Sequence, residues 1–208
     1  MSVEETVRTH SKPLGEEGRN VGLAMNEHHY KLWNWGIEHI SIDPDSSILD
    51  IGCGGGRAIS ILADIVENGN VSGIDYSPDM VELASETNKG AIDDEKVSIT
   101  QASVSKLPFS DAMLDLVTAF ETCYFWPDIE NDLREIHRVL KENSKLLIVN
   151  EMYIRSLFEE RNSAYSAVDE MNIYSVEDYR NLLKNAGFSS VLIDELPENN
   201  WICIIARK

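Results

Sequence analysis

Five residues with defined spacing carry the first chemical signal: Asp50, Gly52, Gly54 and Gly56 around one turn, and Asp75 further along the chain. The stretch Gly52-Cys53-Gly54-Gly55-Gly56 places four glycines in five positions. Glycine takes positive φ at no steric cost and lets a ligand reach the main chain with no Cβ in the way. Asp75 follows Gly52 by 23 residues and closes a second apolar run. An acid at about that distance from a glycine turn can accept hydrogen bonds from ribose hydroxyls. The pair of signals describes a site for a nucleotide-type cofactor.

Such residues need elements to hold them. Ile48, Leu49 and Ile51 read as a strand covered on both faces of a parallel sheet, while Ala58, Ile59, Ile61, Leu62 and Ile65 recur at helical spacing. Val71 to Ile74 is a second strand, and Ser77 and Pro78 suit the N-cap and first position of a helix carrying Met80, Val81, Leu83 and Ala84. Asp115 to Thr122 reads as a further strand with its following turn. Ile129 to Leu140 is a helix with Leu133, Ile136 and Leu140 on one stripe, and Lys145 to Asn150 is a strand. Ser175-Val176-Glu177-Asp178 matches a capping box whose helix stops at Gly187, before strands at about Val191 to Asp194 and Ile202 to Ala206.

The glycine spacing separates two cofactor classes. A dinucleotide fingerprint wants a third glycine where this chain has Arg57. Gly52, Gly54 and Gly56 instead form G-x-G-x-G preceded by Asp50, which resembles motif I of the class I S-adenosylmethionine-dependent methyltransferases, of the methyltransferase type 11 kind, over about residues 46 to 151. The resemblance implies that the turn of Gly52, Cys53, Gly54 and Gly56 wraps the amino-acid part of S-adenosyl-L-methionine, with Asp50 helping to hold its ammonium. Asp75 would then bind the ribose, Tyr76 and Met80 would flank the adenine, and Phe120 and Glu121 would form the cofactor-facing turn after strand four. Ser103 stands where an acid commonly contacts the adenine amino group, which shifts adenine recognition toward the backbone around Val104. The implied fold is α/β, a Rossmann-like three-layer sandwich with a seven-stranded, mostly parallel sheet in the order 3-2-1-4-5-7-6, the last strand antiparallel. Asn143-Ser144 replaces a common glycine turn and is expected to alter only a surface loop.

Acceptor recognition is expected outside the 46–151 core. Residues 1–40 read as an arm and lid, in which the first 20 residues are mobile and Val21 to Ile40 is one helix with Asn26, Tyr30, Trp33, Ile37 and Ile40 on a face. On that helix His28 and His29 lie about 100° apart and are not expected both to point inward. Related methyltransferases lay an N-terminal helix across the cofactor, which implies Tyr30 or a histidine near the methyl group. A second wall is Phe120 to Asp128, which leaves strand four at the edge where ligands of parallel sheets bind. Its aromatics suit either packing or attraction of a cation, worth roughly 0.5–2 kcal/mol when desolvated. Residues 152–174 form an expected cap, and 175–208 the closing helix and strands. Trp33, Tyr124, Trp126, Glu151 and Tyr153 are the candidate acceptor-binding residues, and His28, His29 and Glu121 the candidate bases.

At 208 residues and 43% hydrophobic content the chain suits a single domain over 1–208. The polar first 20 residues do not resemble a secretion signal, no stretch is apolar enough to span a membrane, and the three cysteines form no C-x-x-C pair. A cytoplasmic setting and no metal are expected. A net charge of −18 opposes nucleic acid and anionic membranes as partners and favours a small-molecule substrate. The expectation is methyl transfer to a small-molecule N, O, S or C nucleophile by in-line displacement, with S-adenosyl-L-homocysteine as the second product, in a monomer or homodimer. The alternatives are a non-catalytic S-adenosylmethionine-binding protein and a protein or RNA methyltransferase.

Overall fold

The computed structural model describes residues 15–166 and 171–208. One seven-stranded sheet organises them, in the order β3-β2-β1-β4-β5-β7-β6. Its strands are β1 (Ser47–Ile51), β2 (Asn70–Asp75), β3 (Val97–Gln101), β4 (Leu114–Phe120), β5 (Leu140–Asn150), β6 (Ser190–Leu196) and β7 (Trp201–Arg207). β7 runs antiparallel to both β5 and β6, and the other pairings are parallel. Order and direction are those the family resemblance implied.

Alternation along the strands sorts the core into two layers. Leu49, Val117, Leu146 and Ile204 face one side, where helices α6 (Ile129–Val139) and α8 (Val176–Asn185) press Leu133, Ile136, Tyr179 and Leu183 against them. Ile48, Leu116, Leu147 and Val149 face the other, covered by α2 (Tyr30–Ile37) and α3 (Arg57–Ile65) through Leu32, Trp33, Ile59 and Leu62. The terminal signals read from the sequence are present. Ser77 caps α4 (Pro78–Thr87) by accepting from the Met80 amide, and Ser175 and Asp178 form a reciprocal capping box on α8.

Two local expectations change. The N-terminal helix is in fact two, α1 (Gly15–His28) and α2, with His29 between them and α2 ending at Ile37 rather than Ile40. Helical hydrogen bonds still run into and out of the break, from the His29 amide to the Met25 carbonyl and from the Trp33 amide to the His29 carbonyl. Of the expected arm, residues 1–14 lie outside the described residues, and the chain is helical from Gly15. The second change is at Asn143 and Ser144, which lie inside β5 as a bulge. There β4 advances from Leu114 to Leu116 while β5 advances from Leu140 to Lys145. Asn143 accommodates the bulge at φ 64°, a conformation asparagine tolerates better than most residues.

Close contact between α2 and β5 sets the height of the N-terminal helices over the sheet. Gly36 sits against Val149, and a Cβ there would collide with both Val149 methyl groups. Gly36→Ala is expected to cost about 1–3 kcal/mol through overpacking, lowering Tm by several degrees. Thermal denaturation followed by circular dichroism checks this, and an unchanged Tm would show that α2 lifts off the sheet without penalty.

Candidate active site

The carboxyl ends of β1, β2, β3, β4 and β5 open into a cavity of about 1240 Å³. At its floor the chain leaves β1 through Gly52 at φ 68° and Gly54 at φ 50°. The amides of Gly52 and Cys53 both donate to the Ile74 carbonyl, and the Gly54 amide donates to Asp75 Oδ2 at 3.0 Å. Asp75 Oδ1 accepts from the Ser77 amide at 2.9 Å. Burial raises the Asp75 carboxyl above its usual range, and these amides pull the other way. Asp75 therefore braces the glycine turn as well as facing the cavity. A Cβ on Gly52 would strike Thr122, whereas one on Gly54 would meet nothing within 4 Å and would project into open space.

The N-terminal helices form the roof. Asn26 Nδ2 donates to the Gly55 carbonyl at 3.3 Å, tying α1 to the glycine turn. His28 and His29 both line the cavity, against the expectation that only one would. The break between the helices puts their rings edge to face, with centroids 4.9 Å apart. His28 is at the mouth with 70% of its side chain exposed, while His29 is buried at 11%.

Two carboxylates meet these rings. Glu121 follows β4 at φ 57°, and its Oε1 accepts from the Tyr124 hydroxyl at 3.0 Å and from the Glu151 amide. Glu121 Oε2 lies 3.9 Å from His29 Nε2. Glu151, at the end of β5, places Oε1 4.0 Å from His29 Nε2 and Oε2 3.6 Å from His28 Nε2. Burial pushes Glu121 well above the usual carboxylate range, helped by the Glu151 charge and opposed by its hydrogen bonds. His28, His29 and Glu151 also bring one ligand atom each within 4.8 Å of one another, a grouping suited to a metal ion that sequence spacing did not foresee.

Among the residues singled out from sequence, Gly52, Cys53, Gly54, Asp75, Tyr76, Met80, Ser103, Val104, Phe120, Glu121, His28, His29, Trp33, Tyr124, Trp126 and Glu151 line the cavity. Four do not. Tyr30 is exposed on the outside of α2 with the Arg57 guanidinium 5.5 Å from its ring centroid. Asp50 is buried beneath the turn, where it accepts from the Thr118 hydroxyl at 2.7 Å across the β1–β4 register. Gly56 serves the packing of α3, because a Cβ there would press on Ala84 at 2.8 Å. Tyr153 turns into the core beneath the sheet, since Met152 before it takes the cavity side of the extended chain. Ser103 Oγ already accepts from the Ser105 amide at 3.3 Å.

Sequence reasoning missed several contributors. Asn26 was visible only as a polar residue on a helix face otherwise apolar toward its end. Thr122 gave no signal at all, because its role depends on Gly52 across the turn. Tyr165, Met171 and Asn172 close the far side from the cap, whose residues 167–170 lie outside the described residues. The cysteines are chemically quiet. Burial pushes Cys123 up to about 11 and Cys53 well above its usual value, so neither is a thiolate at neutral pH.

A family model described as a methyltransferase domain matches residues 49–148. The chain is 31% identical to the 2-phytyl-1,4-naphtoquinone methyltransferase of a Nostoc species over 133 residues, 63% of this chain and 57% of that protein. It is also 31% identical to the O-methyltransferase cnsE of Penicillium expansum over 153 residues, 73% of this chain and 55% of that one. The match thus spans little more than half the length of either relative. Among solved structures, an S-adenosylmethionine-dependent methyltransferase from Aquifex aeolicus superposes with a TM-score of 0.73 at 19% identity, covering 98% of this chain and 97% of its own.

Asp50 offers a test of the buried charge beneath the turn. Burial, against the Thr118 hydrogen bond, raises its carboxyl from 3.8 to about 7. The folded state therefore holds this proton more tightly than the unfolded chain. The associated stability is full below about pH 4 and is lost as pH rises toward 7. Asp50→Asn, which keeps an acceptor for Thr118, is expected to be more stable than the parent by on the order of 2–4 kcal/mol at pH 8, with the gap closing toward pH 4. Thermal melts across that range check it, and a gap independent of pH would contradict it.

Proposed function

We propose that the chain is a class I S-adenosylmethionine-dependent methyltransferase and that it moves a methyl group from S-adenosyl-L-methionine to a small-molecule N, O, S or C nucleophile by in-line displacement. The observation that carries this reading is that one cavity runs from the glycine turn to the group formed by His29, Glu121 and Glu151. A cofactor-binding motif and proton-handling groups therefore share one enclosed space.

The residues fit the cofactor. Gly54 leaves a cradle that a Cβ would fill, and Asp75 keeps unshared lone pairs beside it for ribose hydroxyls. Tyr76, half exposed at the cavity edge, and Met80, buried at its wall, present flat and apolar surface for a base. When bound, S-adenosyl-L-methionine supplies a methyl group on a positively charged sulfur, which is already an activated leaving group. The protein's task is then to align the acceptor and exclude water, and such positioning is worth on the order of 7–11 kcal/mol. His29 is placed to take the acceptor's proton at Nε2, and His28 at the mouth offers a route to solvent through Glu151. The cap closes the other side through Tyr165 and Met171.

The acidic balance of 36 Asp and Glu against 18 Lys and Arg supports a small acceptor rather than nucleic acid. Among the described residues no helix is long and apolar enough to cross a membrane. A cytoplasmic setting agrees with three buried free cysteines.

Calorimetric titration with S-adenosyl-L-methionine and S-adenosyl-L-homocysteine tests the cofactor assignment. Both are expected to bind. Asp75→Asn, which retains a side-chain acceptor for the turn, should weaken them about tenfold or more, and Gly54→Val should abolish binding by filling the cradle. Absence of binding to the parent chain would overturn the reading.

A further inference from the structure

The reading of one cavity for cofactor and acceptor leaves the acceptor's chemistry open, and the walls at the Glu121 end narrow it. Among the described residues no lysine or arginine lines the cavity, so a phosphate or carboxylate on the acceptor would find no fixed cation there. The acidic groups that line it are Glu121 and Glu151, with Asp75 at the opposite, glycine-turn end. Within ion-pair distance the two glutamates meet only the imidazoles of His28 and His29 among the described residues. Arg161, from the cap, donates to the Glu151 carbonyl oxygen at 3.0 Å and to Asn162; its charge favours the ionised form of Glu121, but it forms no ion pair with either glutamate. Ionising Glu121, which is buried with no cationic side chain of lysine or arginine in contact, is costly, and a ligand cation placed between it and the partly exposed Glu151 relieves that cost.

A second, independent feature selects the same charge. Trp33, Phe120, Tyr124, Phe125 and Trp126 all line the cavity, and at this end Trp33 lies beside His29 and Phe120, while Tyr124 hydrogen-bonds to Glu121 and meets Phe125 edge to face. Aromatic faces attract a desolvated cation and give nothing comparable to an anion. An acceptor reacting as phenolate or enolate would instead bring its negative charge beside two carboxylates, at a cost in binding.

We propose that this end of the cavity is an ammonium-binding site, and that the methyl acceptor is a small primary or secondary amine docking as its cation between Glu121 and Glu151 against the aromatic wall. The proposal rests on the methyltransferase reading for the word acceptor, but the binding site itself stands without it. Docked as a cation, the amine gives up a proton to His29 Nε2, within reach of both carboxylates.

Calorimetry on the full chain, stripped of metal with a chelator and desalted, tests this with matched probe pairs: phenethylamine against 2-phenylethanol, benzylamine against benzyl alcohol, and n-butylamine against n-butanol. Each pair is titrated with and without S-adenosyl-L-homocysteine. At least one amine is expected to bind tenfold or more tightly than its alcohol. Glu121→Gln and Glu151→Gln should each erase most of that preference, while far-ultraviolet circular dichroism spectra matching the parent's and a single cooperative thermal transition show that the variants are folded. Equal binding of amines and alcohols, or an amine preference that survives both substitutions, overturns the proposal. So does tight binding of manganese or zinc that depends on His28, His29 and Glu151 and excludes the amines, since the cluster is then a metal site. Failure of S-adenosyl-L-homocysteine to bind the parent would count against the cofactor reading alone, because the amine pairs are also titrated without it.

Discussion

The glycine turn is held in place by the strand beside it, and the site depends on that arrangement. Two successive amides, of Gly52 and Cys53, converge on the Ile74 carbonyl, and a third, of Gly54, reaches the Asp75 carboxylate. These bonds stitch the end of β1 to the end of β2 across a parallel pair already in register from Ser47 with Asn70 to Ile51 with Ile74. A loop of glycines on its own would be too free to present a defined surface. Secured at three amides, it becomes a rigid floor. Asn26 then fastens the roof helix to the same turn through Gly55, so floor and roof share one anchor.

Above that floor the electrostatics run from one kind of acid to another. Asp75 is buried but accepts a backbone amide at each oxygen, which offsets much of the cost of keeping a carboxylate out of water and still leaves lone pairs toward the cavity. Asp50 has one hydroxyl partner and rises to about 7, so near neutral pH it sits close to the balance between charged and neutral forms. Glu121 is also pushed well above the usual carboxylate range, first by burial and then by the charge of Glu151 beside it. Burial raises all three acids, two in the cleft and Asp50 beneath it, and what opposes or adds to burial differs: amide donors at Asp75, a single hydroxyl at Asp50, and a second carboxylate beside Glu121.

Much of this was legible in the sequence where the signal was local. The glycine spacing, the acid at position 75, the Ser77-Pro78 helix start and the capping box at Ser175 depend on neighbours within a few residues, and each is where the residues placed it. What could not be read depends on contacts across the chain. The meeting of His28 with Glu151 joins segments more than a hundred residues apart, and it exists because α1 and α2 break at His29 instead of running straight. Periodicity assumes one continuous helix, and so it assigned the two histidines to different sides. Tyr153 failed for a simpler reason. One step along an extended chain turns a side chain through to the opposite face, and the sequence carries no mark of which step faces the cavity.

The cap is anchored in a particular manner. Arg161 and Asn162 fasten it to the main-chain carbonyls of Glu151 and Tyr153, and Asn172 donates its own amide to the Tyr124 carbonyl. The side chains the cap turns toward the cavity, Tyr165 and Met171, take no part in those attachments. The polar fastening and the chamber wall are thus carried by separate residues, although Met171 and Tyr165 also pack on Tyr124 and Met152. Replacements at positions 165 and 171 that keep an apolar contact with Tyr124 and Met152 can therefore reshape the chamber one substitution at a time while the polar attachments of its cover stay intact.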